Sequence, residues 1–437
     1  MNPTDTTAWM QEDWNARARE DAHYYVAFGR RKQSEEEFFA TAADVVRLLR
    51  AELKRLPRGN PRARRAIEIG CGPGRLLKPM SECFGEIHGV DISDEMIRLA
   101  QRNLRDVPHA HAHHAPHSDL RAFADDSFDF AYSYAVFQHI PSREIVWNYL
   151  REARRVLKVG GILRCQINGL PETAARYDTW SGVRIQGEEV AAFARQHHLQ
   201  LLALEGVGTQ YMWVTLCKKP EGWQPSADAP EVHIRRITNA SSGEPVIPPR
   251  GRFAFLSIWV DRLLADADLN HLGVEIGGKA GTVNYIGPAE ADGLQQVNCQ
   301  LPAGLGTGLQ PVRLYWQGRP ISPERHIRVL PPPPQVPRIV SVSDGIDLMA
   351  GTLFHSGVVK VTIEETSQPE SFQALIGGRP VEIEDIFCTD PVPPRYEINF
   401  RLPNGLPPGP QVLEMSLGRR RFAPLQVEVQ TSPNSAL

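Results

Sequence analysis

The sequence has no long apolar run, no marked excess of either charge and no signal-peptide pattern at its start. It carries 48 Lys and Arg against 51 Asp and Glu, for a net charge of -3, so it lacks the basic balance typical of nucleic-acid-binding proteins. No stretch is apolar for long enough to cross a bilayer. We therefore expect a cytoplasmic protein that binds neither nucleic acid nor a membrane.

Paired cysteines are also missing. The six cysteines are Cys71, Cys83, Cys165, Cys217, Cys299 and Cys388, and none of them forms a CxxC pair. Neither a zinc knuckle nor a redox pair is indicated, and we expect reduced, mostly structural thiols. A cluster of histidines at residues 109–117 predicts a strand whose side chains point to opposite faces, rather than a metal site.

The first half of the chain alternates between strand and helix patterns. Short apolar runs at residues 65–69, 86–90, 128–134 and 162–167 alternate with helical patterns at 94–103, 143–157 and 188–197. This alternation predicts βαβ units and a parallel sheet. A last pair of runs, 201–207 and 211–217, predicts an antiparallel hairpin that closes the sheet edge. Two helices are predicted before the first strand, one at 7–25 and one that begins with a Ser34–Glu37 capping box and includes Leu49.

The second half lacks helical periodicity. It contains short alternating strands, Gly/Pro turns and a Pro-rich segment at residues 331–337, a pattern typical of all-β modules. The segments IGGK (276–279) and VNCQLPAGL (297–305) recur as IGGR (376–379) and INFRLPNGL (398–406), and Val312 and Gly318 are expected to match Val412 and Gly418. On these segments the repeats resemble immunoglobulin-like sandwiches of the IPT/TIG type, which bacteria append to many proteins.

In the segment AIEIGCGPGR (66–75), a short apolar strand with an acidic residue near its end runs into three closely spaced glycines. Glycines allow a tight turn between strand and helix and a close approach of the backbone to a ligand. About twenty residues later, GVDIS (89–93) ends the next strand with Asp91, a carboxylate placed to accept two ribose hydroxyls. The two segments therefore predict one binding pocket, although a glycine loop alone also fits a dinucleotide enzyme.

Together with SDL (118–120) and the helix-Gly-Gly-strand segment 151–163, these blocks resemble class I S-adenosylmethionine-dependent methyltransferases. The resemblance covers residues 66–217 and implies a Rossmann-like domain with a mostly parallel seven-stranded sheet and an antiparallel edge hairpin. It also implies S-adenosyl-L-methionine as cofactor. The cofactor-binding residues that it implies are Glu68, Gly70, Cys71, Gly72, Gly74, Arg75, Asp91, Ile92, Met96, Ser118, Asp119, Leu120, Ser133 and Tyr134.

On the acceptor side, the reaction is a displacement at an activated methyl group, so holding donor and acceptor about 3–3.5 Å apart supplies much of the acceleration. His139 is the candidate general base, with a packing role as the alternative. Tyr25 is the second candidate catalytic residue, and Tyr24, Trp180, Tyr211 and Trp213 are candidates for lining the acceptor pocket.

The expected organisation is a methyltransferase domain with an N-terminal helical cap (1–220), a linker (221–230), one sandwich (231–330), a Pro-rich linker (331–337) and a second sandwich (338–437). We expect transfer of a methyl group to O, N or S of a small molecule, with no metal. The sandwiches would form a structural platform, or would join copies of the chain in a homo-oligomer. Two alternatives stay open: a larger glycan, lipid-linked or carrier-bound acceptor recruited by the sandwiches, and a non-catalytic scaffold that binds the cofactor.

Overall fold

The computed structural model describes residues 3–27, 30–172, 176–229, 231–251, 253–332, 336–391 and 394–430. These residues group into two compact units, one drawn from Met1–Ala22 and Glu35–Pro332 and the other from His23–Ser34 and Pro333–Leu437. Pro230 and residues 333–335, which belong to the two expected linkers, lie outside the described residues. In the part of the chain that is described, no helix is both long and apolar enough to span a bilayer.

The described residues of the first half include seven α-helices and seven strands. The helices are α1 (Pro3–Ala27), α2 (Glu35–Ala40), α3 (Ala43–Glu52), α4 (Leu77–Met80), α5 (Asp94–Asn103), α6 (Arg143–Val156) and α7 (Gly187–Gln196). The strands are β1 (Arg65–Ile69), β2 (Glu86–Asp91), β3 (Ala110–His114), β4 (Phe128–Ser133), β5 (Leu157–Ile167), β6 (Leu199–Glu205) and β7 (Met212–Lys218).

These strands form a mixed sheet in the order β3-β2-β1-β4-β5-β7-β6. Strands β1 to β5 pair in parallel, and β7 is antiparallel to both of its neighbours. The sheet has a separate apolar core on each face, with Ile67 and Ile69 in one and Ala66 in the other. This explains why the strands read as continuous apolar runs. The carboxyl ends of the five parallel strands consequently share one edge of the sheet.

The expectation of one helix from Ser34 to Leu49 was wrong. Residues 41 and 42 separate α2 from α3. The Thr41 hydroxyl donates to the carbonyl of Phe38 at 2.6 Å, and the Thr41 carbonyl accepts a hydrogen bond from Arg75 at 3.3 Å. Side-chain bonds to nearby backbone compete with a helical ladder, so the break occurs where α2 meets the glycine-rich segment.

The hairpin of β6 and β7 is antiparallel as predicted, but it does not close the sheet edge. The first all-β region contains β8 (His233–Asn239), β9 (Val246–Ile247), β10 (Phe255–Asp261), β11 (Leu272–Ile276), β12 (Lys279–Ile286), β13 (Gln295–Gln300), β14 (Gly308–Trp316), β15 (Arg319–Pro320) and β16 (Arg325–Val329). Strand β12 pairs with β6, opposite residues being Tyr285 and Ala203. The edge of β6 is therefore occupied by the all-β region.

The second all-β region has two sheets around one apolar core. Its strands are β17 (Arg338–Asp344), β18 (Leu353–Phe354), β19 (Val358–Glu364), β20 (Phe372–Ile376), β21 (Arg379–Pro380), β22 (Glu382–Pro391), β23 (Pro394–Arg401), β24 (Gly409–Leu417), β25 (Arg420–Arg421) and β26 (Leu425–Val429). One sheet has the order β17-β19-β23-β22, and the other contains β18, β26, β24, β20, β21 and β25. Residues of both sheets, such as Phe400 and Leu413, share the core.

The repeat is visible in the strand registers, with one correction. Ile276 lies opposite Val312, but the corresponding Ile376 lies opposite Leu413 rather than Val412. Similarly, a two-residue turn follows both β14 and β24. Gly318 is the second residue of its turn, whereas Gly418 is the first residue of its turn. The second repeat has one more residue before INFRLPNGL, so the equivalent positions that follow are 101 residues apart.

Candidate active site

The glycine-rich loop follows β1 at the carboxyl edge of the sheet. Gly70, Gly72 and Gly74 all have positive φ, at 74°, 50° and 87°, a backbone conformation that suits glycine. The amides of Gly70 and Cys71 both donate to the carbonyl of Val90, at 2.8 and 3.0 Å. The loop is thereby fixed against the end of β2, and the Cys71 side chain is buried beneath it.

We expect Gly70→Ala to disrupt this loop. A Cβ at Gly70 would lie 2.3 Å from Cγ2 and 2.6 Å from Cγ1 of Val136, on top of the unfavourable φ. Since both effects displace the loop, the melting temperature should fall by the equivalent of about 1–3 kcal/mol. Gly59→Ala is the matched control because a Cβ there has nothing within 4 Å. Differential scanning fluorimetry of both variants tests this, and equal melting temperatures would contradict the close approach.

Asp91 connects the glycine loop to the turn after β2. One carboxylate oxygen of Asp91 accepts from the amide of Gly72 at 2.9 Å, and the other accepts from the amide of Ser93 at 2.9 Å. Burial raises the pKa of Asp91, and the two backbone hydrogen bonds oppose this shift. The structure thus brings together Gly72 and Asp91, as the sequence predicts for one pocket.

Glu68 lies on β1 and is buried. One of its oxygens accepts a hydrogen bond from the Tyr132 hydroxyl at 3.0 Å. Burial raises the pKa of Glu68 to about 8, against the opposing effects of the Tyr132 hydrogen bond and the nearby Arg75 charge. The side chain is therefore mostly protonated at neutral pH in the protein without ligand.

This buried carboxyl should make stability depend on pH. The pKa of Glu68 is raised from 4.5 to about 8, so between these values the folded protein holds a proton that the unfolded chain releases. Its contribution to stability is complete below about 4.5 and is lost as the pH rises toward 8. We expect Glu68→Gln to reduce the loss of melting temperature over this range. Melting curves of both proteins at several pH values test this, and parallel curves would contradict it.

Arg75 is a buried cation that follows the glycine loop. Its guanidinium donates to the carbonyl and hydroxyl of Thr41, at 3.3 and 3.2 Å, and lies 5.4 Å from the Tyr134 ring centre. Its buried Nε has no hydrogen-bond partner among the described residues, and burial lowers the pKa of Arg75. Burial of the Arg75 charge without a paired anion costs free energy. Binding of an anionic ligand group at this position is therefore favoured.

The segments expected at the adenine lie beside Asp91 in the fold. Ile92 and Met96 are buried, and the Met96 amide donates to the Ser93 hydroxyl at 3.1 Å. Ser118 is buried with φ 54°, its hydroxyl 3.5 Å from that of Thr7. Asp119 pairs with Arg121 at 2.5 Å. The Leu120 amide donates to Glu152 at 3.1 Å, so a protein carboxylate already occupies the amide expected to help at the adenine.

The loop after β4 lies against the glycine loop. The Ser133 hydroxyl donates to the Ile69 carbonyl at 2.8 Å, and Val136 packs where a Cβ of Gly70 would be. Tyr134 stacks on Trp213, with ring centres 5.7 Å apart. This loop therefore lies beside the glycine loop and Asp91 at the carboxyl edge of the parallel strands, and we refer to this part of the edge as the crevice.

His139 ends a short 3-10 helix in this loop. Its Nδ1 lies 3.1 Å from the Trp180 carbonyl, which assigns the proton to Nδ1 and leaves Nε2 as the acceptor. Nε2 lies 3.3 Å from the Gln138 amide nitrogen, and the Trp14 ring contacts the imidazole edge to face at 5.5 Å. Burial, and secondarily the charge of Arg17, lowers the pKa of His139 to about 4. The imidazole is neutral at pH 7.

Helix α1 contributes residues that the sequence analysis did not select. Asn15 accepts from the Ser93 hydroxyl at 2.6 Å and donates to Asp94 at 2.6 Å, and Met10 is part of the core that includes Ile92. With Trp14 on His139, α1 reaches from the turn after β2 to the loop after β4. The sequence signal that could have identified this contact was Asn15, a polar residue among the aromatic residues of the helix.

The remaining candidates for the acceptor side differ in their exposure and in the residues that they contact. Tyr24 and Tyr25 contact each other at 5.2 Å and belong to the second compact unit. Trp180 and Tyr211 are about half exposed, at 47% and 48%. Trp213 lies between the Tyr134 ring and the guanidinium of Arg164, which is 4.6 Å from its centre.

Histidine side chains of β2 and β3 lie against each other. The His88 and His113 imidazoles contact each other, with 2.9 Å between Nδ1 and Nε2. Among the described ranges, no group of three or more His, Cys, Asp or Glu side chains is arranged to hold a metal ion. All six cysteines are free thiols.

Comparison with known proteins finds similarity over the part of the chain that contains the glycine loop and Asp91. Residues 67–165 match the family described as a methyltransferase domain. The chain is 28% identical over 122 residues to phosphoethanolamine N-methyltransferase 2 of Caenorhabditis elegans, covering 27% of each chain. It is 29% identical over 112 residues to the ubiquinone biosynthesis O-methyltransferase of Cereibacter sphaeroides, covering 25% of this chain and 44% of that enzyme. These matches thus span less than half the length of either relative.

One solved structure to which this chain is similar is that of geranyl diphosphate C-methyltransferase from Streptomyces coelicolor A3(2), in complex with Mg²⁺, geranyl diphosphate and S-adenosyl-L-homocysteine. It covers 49% of this chain and 98% of its own, at 15% identity and a TM-score of 0.37.

Proposed function

We propose, from the premise that residues 67–165 are an S-adenosylmethionine-dependent methyltransferase domain, that the whole chain transfers a methyl group to O, N or S of a small-molecule acceptor. The observation that carries the proposal is the position of Asp91. Its carboxylate is held by the amides of Gly72 and Ser93 where the carboxyl ends of parallel strands meet, the usual ligand edge of such sheets.

The residues of the crevice fit S-adenosyl-L-methionine. Arg75 has a buried Nε without a partner among the described residues, which suits the methionine carboxylate, and the glycines of the loop would let the protein backbone approach the cofactor closely. Asp91 would bind the ribose, and Ile92 and Met96 would flank the adenine. Glu68, Gly70, Cys71, Gly72, Gly74, Ser118, Asp119, Leu120, Ser133 and Tyr134 complete the proposed cofactor site.

When bound, the cofactor would supply a methyl group activated by a positively charged sulfur: the acceptor atom would bond to the methyl carbon as the carbon–sulfur bond breaks, and S-adenosylhomocysteine would leave. The chain's own part is then to hold the acceptor in line and to exclude water. His139 is neutral, and its low pKa makes it a weak base, so its proposed contribution is mainly to orient the acceptor and secondarily to accept a proton. Tyr25 stays a proposed catalytic residue, and Tyr24, Trp180, Tyr211 and Trp213 stay proposed acceptor contacts.

We further propose that both all-β regions are immunoglobulin-like sandwiches of the IPT/TIG type, with domain limits as expected from the sequence. The recurring IGGK and IGGR turns support this, since each joins two antiparallel strands. A cytoplasmic bacterial protein and a homo-oligomer formed through these regions are parts of the same proposal.

A larger acceptor, such as a glycan, is the second candidate, and a groove in the first all-β region favours it. The groove has a volume of about 370 Å³ and is lined by Arg235, Arg236, Trp259, Glu290, Asp292 and Leu294. The Arg236 guanidinium lies 5.1 Å from the Trp259 ring centre. An aromatic ring beside carboxylates and guanidinium groups suits a polyhydroxyl ligand, because it offers both an apolar face and hydrogen-bond partners.

The test of the proposed function is a labelling experiment. The full chain is incubated with a metabolite extract and cofactor that carries a deuterated methyl group, and products are followed by mass spectrometry. A labelled small molecule is expected, and a labelled glycan would favour the second candidate. No labelled product, together with no binding of S-adenosylmethionine or S-adenosylhomocysteine by calorimetry, would contradict both. Binding without any product would favour the scaffold alternative.

A further inference from the structure

One face of the methyltransferase sheet carries an unusual row of polar side chains. Strand pairing places Glu68 opposite Tyr132, Tyr132 opposite Arg164, and Arg164 opposite Thr215. Residues of α3, such as Leu49, share the apolar core on this face. Since buried polar groups are costly unless they are hydrogen-bonded, each member of the row should have a partner.

Next to this row, at the carboxyl end of β5, lies a buried amide with an unused acceptor. Gln166 is 3% exposed, and its Oε1 is buried without a hydrogen-bond partner among the described residues. Its neighbours Cys165 and Ile167 belong to the core on the other face. Gln166 lies opposite Trp213, which stacks on Tyr134. Gln166 therefore lies at the carboxyl end of β5, paired with the residue whose ring contacts Tyr134 of the loop after β4.

Charged side chains on the same face of the sheet have partners of their own. Arg164 pairs with Glu205 at 2.8 Å, and further along the same face Arg55 pairs with Glu52 at 2.5 Å. The Glu68 carboxyl accepts a hydrogen bond from the Tyr132 hydroxyl. Among the described residues, Arg75 donates to Thr41 and not to a carboxylate, and the proposed cofactor site assigns it to the methionine carboxylate. The group of Gln166 that is left for a ligand is its amide oxygen.

We propose that Gln166 binds the methyl acceptor through its side-chain amide, and that the group it binds is an uncharged hydroxyl or N–H. This inference rests on the proposed function and specifies its substrate class. A hydroxyl or N–H donates a hydrogen bond to the unused Oε1, whereas a carboxylate or phosphate offers acceptors only. Gln166 is thereby a specificity-determining residue on the acceptor side of the crevice.

The experiment measures the binding of small probes to the full chain saturated with S-adenosylhomocysteine. Ligand-observed NMR titrations use phenol and acetamide as neutral donors and acetate as the anionic probe. We expect both neutral probes to bind more tightly than acetate. Gln166→Leu should weaken the binding of phenol and acetamide about fivefold or more, the value of one hydrogen bond. The affinity for S-adenosylhomocysteine should stay within about twofold.

Gln200→Leu is the matched control. Gln200 is also buried, but its amide donates to the carbonyls of Ala265 and Ala267 in the first all-β region, so its loss should change melting temperature and not probe affinity. Equal probe binding by Gln166→Leu and the unaltered chain, preference for acetate, or no probe binding would each overturn the inference. Failure of the unaltered chain to bind S-adenosylhomocysteine would instead contradict the proposed function on which it rests.

Discussion

Asp91→Asn should weaken binding of S-adenosylmethionine by about 10-fold to 150-fold. The substitution keeps the size of the side chain and removes its charge. A charge-assisted hydrogen bond is worth about 1.5–3 kcal/mol, and the ribose hydroxyls would lose at least one. The amide also places an N–H₂ group against one of the backbone amides, of Gly72 or Ser93, that the carboxylate accepts from. The loop that forms the crevice is then disturbed as well.

Calorimetry with S-adenosylmethionine and S-adenosylhomocysteine measures this loss. Asp94→Asn is the matched control, because Asp94 follows Asp91 closely in the chain but its carboxylate accepts from Asn15 and Gln11 of α1. We expect the control to change affinity by no more than a few-fold. If both variants bound the cofactor as the unaltered chain does, the ribose would lie elsewhere and the pocket would be misplaced.

Local signals explain why the contact between the glycine loop and Asp91 could be predicted. The glycine loop and Asp91 each follow a strand directly, and parallel strands bring their carboxyl ends to one edge. Helix limits were predicted well where a capping residue precedes the apolar pattern, as with Ser93 before α5, whose hydroxyl accepts from the Met96 amide. In these cases sequence neighbours determine the structure.

Contacts between distant segments explain what could not be predicted. The break between α2 and α3 depends on Arg75, which lies 34 positions after Thr41, and no local pattern indicates that contact. Gln166 left only a weak signal, a polar residue inside the apolar run of β5. Its unused acceptor depends on which side chains surround it. The extra residue in the second repeat, by contrast, can be read from the sequence: IGGK and IGGR match at a spacing of 100, whereas VNCQLPAGL and INFRLPNGL match at 101, and the expected match of Val312 with Val412 did not allow for it.

The role of the first all-β region changes most between sequence and structure. The sequence predicts a module joined by a linker, but β12 extends the methyltransferase sheet at Ala203. The Leu269 amide donates to the carbonyl of Leu201 at 2.9 Å, and the Gln200 amide donates to that of Ala267 at 2.8 Å. Leu269 also packs against the cores of both parts. This region therefore packs directly against β6 of the domain that contains the crevice.

A chain that ends after Pro220 should accordingly lose its cooperative fold, and with it cofactor binding. Its β6 would present unpaired backbone groups at a sheet edge, next to apolar side chains that Leu269 covers, and such edges promote aggregation. We expect this shortened chain to be largely insoluble, or to bind S-adenosylhomocysteine at least about tenfold more weakly, as measured by recovery after centrifugation and by calorimetry.

Substitution in the full chain separates this effect from truncation itself. Leu269→Asp places a charge between the two cores and should cost about 2–4 kcal/mol of stability, from lost apolar burial and the buried charge, measured as a lower melting temperature. Leu309→Asp is the control, since Leu309 is 60% exposed on β14 of the same region and exposed substitutions usually change stability by about 0.5 kcal/mol or less. A soluble 220-residue chain with unchanged cofactor affinity, or equal melting temperatures for the two Asp variants, would show that the methyltransferase domain folds without this region.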